Sequence, residues 1–135
     1  MNVWSCVPNA FSQATGINFD EIIRLIGHDG SEIMDASLPE PYGRRGFHVQ
    51  EVIEALWTLG WSVTEFDCFL YQVSMGKPRR REKRDVTRFM TGHPGVLTGD
   101  FDGKSHAVYW DGVHVSGSFL EARIASFYAV KKWGV

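Results

Sequence analysis

The chain reads as an α+β protein in which helices come first and an antiparallel sheet follows. Three observations carry that expectation. Apolar residues recur at helical spacing only before Gly60, strand-like alternation begins only at Trp61, and two Asp-Gly dipeptides punctuate the second half where turns belong. Helical segments segregated from strand segments, instead of alternating with them, define the α+β class.

Each element has its own local reason. Residues 8–15 form the first predicted helix, with Pro8 tolerated in the first turn and Gly16 as the stop. Asn18 is the expected N-cap of the second, with Glu21 completing a capping-box pattern; Phe19, Ile22, Ile23 and Ile26 share a face and Gly27 ends the run. Residues 27–46 hold four glycines and two prolines without a period, which predicts a long loop shaping a functional groove. Helical spacing returns over 48–59, with His48 at its start and Val49, Val52, Ile53, Leu56 and Trp57 on one side. Phe11, Phe19, Trp57 and Trp61 read as core.

Residues 61–66 alternate as a strand, 67–76 read as neither helix nor strand, and 85–90 suggest a short helix. Strands are expected over 96–101 and 105–110, joined by a turn at 102–104. Asp111-Gly112 carries the chemistry of a two-residue type I′ turn into a third strand at 113–116, and a last strand is expected over 127–133 after an irregular or short helical piece.

A chain of 135 residues, 44% hydrophobic and 13% aromatic, matches one domain spanning 1–135 with a real core, which excludes global disorder. No apolar run approaches the ~18 residues of a spanning helix, and the N-terminus has no secretory pattern, so the expected location is cytoplasmic. Two cysteines, Cys6 and Cys68, form no disulfide framework and no CxxC metal pattern. No histidine pair has zinc-ligand spacing, so neither metal nor cofactor is expected. The net charge of −2 hides a basic run at 77–84 (KPRRREKR), opened by Lys77 and closed by Arg84, on an otherwise acidic chain. Its ordinary role is a solvated loop; its sharper role is contact with an acidic partner or nucleic acid, without aromatics to stack on bases.

The chemistry concentrates at Trp4-Ser5-Cys6-Val7-Pro8-Asn9. A cysteine where a loop runs into a helix faces unpaired backbone N–H groups and the positive end of the helix dipole, both of which favour thiolate. Cys68, in Phe66-Asp67-Cys68-Phe69-Leu70, reads as core. A thiolate needs a base, and His106 in Ser105-His106-Ala107-Val108-Tyr109-Trp110 sits on a strand that would hold it rigidly. His28 and His93 read as loop residues and His114 as surface.

With Cys6 opening a helix, Gly46-Phe47-His48 leading into the middle helix, and the late His-Ala-Val-Tyr-Trp-Asp-Gly strand and turn, the chain resembles the papain-like cysteine peptidases. Within them it resembles the compact branch that cuts double-glycine leader peptides. The resemblance implies N-terminal helices carrying the Cys, packed on a C-terminal antiparallel sheet carrying the His. It makes Cys6 the nucleophile and His106 the general base in cleavage of a peptide or isopeptide bond, on a peptide or protein substrate. The family's oxyanion-donating Gln, about six residues ahead of the Cys, has no counterpart here, and Asn2 is the expected donor beside the Cys6 N–H.

The group that orients the histidine is a second departure. A two-residue turn at Asp111-Gly112 pairs Trp110 with Val113 and, counting on, His106 with Gly117, where the family commonly carries Asp. Ser116 and Ser118 reach the imidazole only through a register slip or bulge. The expectation is a Cys6–His106 dyad; its alternative is a catalytically degraded papain-like domain that binds a peptide or protein.

Overall fold

The computed structural model describes residues 3–74, 77–78 and 90–133. It is α+β: a 3-10 turn, Val3–Ser5, leads into α1 (Cys6–Thr15), followed by α2 (Phe19–Ile26) and α3 (Val49–Thr58). Then come β1 (Trp61–Ser74), β2 (Lys77–Pro78), β3 (Gly95–Phe101), β4 (Lys104–Trp110) and β5 (Glu121–Lys132), in one sheet of order β2-β1-β5-β3-β4 with every pairing antiparallel. Asn2, most of the basic run and nearly all of the short helix expected at 85–90 lie outside the described residues.

The helices follow their local signals, with corrections at their ends. α1 begins at Cys6, two residues ahead of expectation, and closes on Gly16 at φ 78°, whose N–H donates to the Ser12 carbonyl at 2.9 Å. Asn18 caps α2 by accepting from the Asp20 N–H at 2.8 Å. Glu21, however, does not reach back to close a capping box; its carboxylate turns forward to Arg24 at 2.6 and 3.1 Å. The reciprocal box occurs at α3 instead. The His48 ring accepts from the Gln50 N–H at 3.1 Å while the Glu51 carboxylate accepts from the His48 N–H at 2.9 Å.

The strand half departs further from the sequence pattern. β1 runs through the stretch that read as neither helix nor strand, because a bulge interrupts its register with β5 between Asp67 and Tyr71. Phe69 and Leu70 adopt left-handed φ of 53° and 56° there, so alternation fails although the strand continues. Asp102 (φ 52°) and Gly103 (φ 83°) form a two-residue turn between the paired Phe101 and Lys104, the positive-φ geometry of type I′. Asp111-Gly112 does not. Its loop spans residues 111–114, with the Asp111 carboxylate accepting from the N–H groups of Val113 (2.8 Å) and His114 (2.6 Å), and the chain returns in a single bridge, Trp110 to Val115. The expected third strand at 113–116 is thereby reduced to one bridge, and β5 starts at Glu121, earlier than the expected 127.

The sheet separates two apolar clusters. Val96, Ala107 and Tyr128 pack against Ala10, Phe11, Ile22, Val52 and Leu56 of the helices. On the other face Leu97, Phe101, Trp110, Ile124 and Phe127 gather with Cys68, Tyr71 and Met90. Phe11 and Cys68 are buried as expected, and Phe19 and Trp61 are half-buried. Trp57 is a correction: it is 59% exposed and packs edge-on against Trp133.

Candidate active site around Cys6 and His106

Helix α1 places Cys6 at its first position and leans on β4, where the small Ala107 side chain faces the helical layer. Any larger residue there would hold the helix off the strand. The Cys6 sulfur is half-buried, and this burial pushes the thiol above its ordinary pKa. The nearby backbone N–H of Ala107 opposes that shift, and the N–H groups of Cys6 and Val7 act in the same sense. The sulfur therefore meets β4 at the residue directly after His106.

His106 is half-buried, and burial pulls its imidazole below the ordinary histidine range. Alternation along β4 puts it with Val108 and Trp110, on the face opposite Ala107. Its ring stands edge-to-face with Phe101, centroids 6.1 Å apart at 87°. Among the described residues the ring has no hydrogen-bond partner. Both shifts favour the neutral thiol and the neutral imidazole over a preformed ion pair.

Both residues line one solvent-open cleft of about 340 Å³ with Trp4, Arg45, Gly46, Phe47 and Thr98. The C-terminal end of the 27–46 loop, Arg45 and Gly46, forms part of this cleft. His28 is no idle loop residue: its Nε2 lies 2.7 Å from the Glu51 carboxylate, its Nδ1 accepts from the Gly30 N–H at 3.0 Å, and its ring stacks on Phe47 at 4.8 Å. Because Nδ1 is an acceptor, Nε2 carries the proton and donates to Glu51. Arg44 lies 4.2 Å over the Trp4 ring. A larger cleft, about 890 Å³ between Asp100, Asp102, Glu121 and Arg123, holds no thiol or imidazole.

The supporting groups fall differently from expectation. β4 pairs His106 with Gly99 of β3. On the other edge, the Trp110–Val115 bridge and the Ser116 N–H donating to the Tyr109 backbone carbonyl at 2.8 Å set Ser116 beside Tyr109, so Gly117 is not opposite His106. Ser116 and Ser118 are exposed, and neither bonds to the imidazole. The register shifts because four residues close the 111–114 loop, not two. Asn2 lies outside the described residues. No three side chains of His, Cys, Asp or Glu come together as metal ligands among the described residues. Also among these residues, no helix is long and apolar enough to cross a membrane.

Sequence reading missed Ala107 and Phe101. Ala107 acts through its backbone, and no residue type announces that. Phe101 carries an ordinary core signature, and only the strand register brings it to the imidazole. Comparison of the chain with protein-family models, with curated proteins and with solved structures finds no match.

Proposed function

We propose that the protein is a thiol hydrolase of papain-like architecture, cleaving a peptide or isopeptide bond through Cys6 and His106. The observation that carries the reading is the position of the Cys6 sulfur: at the head of α1, against the backbone of β4 one residue from His106, in a cleft open to solvent. At rest the imidazole projects from the face of β4 opposite Ala107; because β4 is the edge strand, the ring reaches around that edge to accept the thiol proton as sulfur bonds to the substrate carbonyl carbon. The carbonyl electrons shift to oxygen, which the N–H groups at the head of α1, with Asn2, serve to stabilise. Collapse expels the amine, which takes the proton from His106 and leaves a thioester on Cys6. Water then gives a proton to His106 and attacks the thioester, releasing the acid and restoring the thiol.

A peptide vinyl sulfone ending in Gly-Gly tests this reading, because thiolate adds across its double bond. Mass spectrometry is expected to find the adduct on Cys6, formed at least tenfold faster than on free cysteine, and His106→Ala is expected to abolish the excess. Equal rates in wild type and His106→Ala would sink the proposal.

A second reading, a peptide- or protein-binding module that has lost catalysis, is favoured by the same burial that keeps both groups neutral. Under it, Cys6→Ala retains the whole biological effect; under the enzyme reading, the variant binds and does nothing more. An acidic partner or nucleic acid at the basic run remains a separate proposal, tested by salt dependence of binding.

A further inference from the structure

The register of β3 and β4 places Gly99, which has no side chain, directly across from His106. A Cβ at Gly99 would run into the Arg123 carbonyl, so the position is closed to any larger residue. The space beside the imidazole therefore falls to Phe101, two residues along on the same face. Its ring meets His106 edge-to-face at 6.1 Å and 87°, and Phe119 meets Phe101 in turn at 5.3 Å and 84°. The chain just beyond Phe119 is tied down: the Asp102 carboxylate accepts from the N–H groups of Leu120 at 3.0 Å and Glu121 at 2.9 Å. Imidazole, Phe101 and Phe119 thus form one packed series fixed at its far end by Asp102.

We propose that Phe101 is a positioning residue for His106, setting the orientation of the imidazole by ring packing where a hydrogen-bonding acid or amide would otherwise do so. The inference rests on the reading of His106 as the base. A histidine ring turns about a broad, roughly two-fold torsion, so an unbonded imidazole needs packing to hold one orientation. Edge-to-face packing fixes the ring plane without choosing a tautomer, which leaves either nitrogen able to carry the proton. The depressed basicity of His106 fits an apolar neighbour in place of an anionic one.

The test measures the His106 ring resonances and titration by NMR on the full chain, with the rate of Cys6 modification by the Gly-Gly vinyl sulfone. Phe101→Leu is expected to move the His106 Cε1–H resonance, raise the imidazole pKa toward the ordinary range and slow Cys6 modification roughly tenfold or more, as misplacement of a reacting group does. Phe101→Tyr, which keeps a ring, is expected to stay within about twofold of wild type. If Phe101→Leu does not fold, Phe119→Leu carries the test, with smaller changes in the same direction. A folded Phe101→Leu, or failing that Phe119→Leu, whose His106 resonance and titration coincide with wild type overturns the inference. Should wild type and His106→Ala modify at equal rates, the hydrolase reading falls alone; the NMR shift still decides whether Phe101 positions the ring.

Discussion

The backbone N–H of Ala107 lies close enough to the Cys6 sulfur to oppose the rise that burial gives its pKa, bringing the first residue of α1 against the edge strand β4. This approach brings the helix of the proposed nucleophile against the strand of its proposed base.

Thiol ionisation should follow burial before it follows the opposing backbone N–H groups. With desolvation dominant, alkylation of Cys6 by iodoacetamide should show a pH midpoint above that of free cysteine. The unfolded chain then releases the thiol proton first, so Cys6 lowers stability as pH rises through the ordinary thiol range. Melting curves of wild type and Cys6→Ala should diverge at alkaline pH, with the wild type losing more. A midpoint below free cysteine would contradict the burial seen here.

Acid should act through His106 in the opposite sense. The folded imidazole binds its proton less readily than the unfolded one, so the unfolded state gains protons first as pH falls below the ordinary histidine range. His106→Gln should flatten the acid limb of the stability profile. Chemical denaturation at a series of pH values checks this, and parallel curves for the two proteins would refute it.

Glu51 holds two groups at once, the His28 ring and the His48 N–H. Glu51→Ala should cost about 1–3 kcal/mol in urea unfolding, since it strips a helix cap and leaves a half-buried imidazole without its acceptor. Faster proteolysis within 27–48 should accompany the loss. A change confined to a few tenths of a kcal/mol would show that the loop is held elsewhere.

Two glycines should respond for different reasons. At Gly16 nothing lies near an added Cβ, and Gly16→Ala pays only for its left-handed backbone, about 1 kcal/mol. At Gly99 the added atom meets the Arg123 carbonyl on β5, so Gly99→Ala should cost about 1–3 kcal/mol or more through strand displacement. Equal midpoints for the two variants in denaturant would remove the steric argument.

The helical half was legible in sequence because amphipathic spacing and caps are local. Asn18, Gly16 and Gly27 do what their residue types dictate. The strand half was less so. Phe69 and Leu70 take a backbone conformation that neither residue advertises, which hides the continuation of β1. The two Asp-Gly pairs are indistinguishable as dipeptides, and only long-range pairing with β5 decides that Asp102-Gly103 becomes the tight turn. In the site, Cys6 and His106 stand out by their chemistry. Their neighbours Ala107 and Phe101 contribute an amide and a ring edge, properties that tertiary placement alone turns to use.

The position of β5 bears on how the molecule is made. β1 and β3 do not touch one another in the sheet; each pairs with β5, the last of the five strands in chain order. Without Glu121–Lys132 the two strand groups share no ladder, and only the helical layer packs on both, α3 on β1 and α1 on β3 and β4. The sheet is therefore closed by its last strand, and its continuity rests on the ladders that β5 makes along both of its edges.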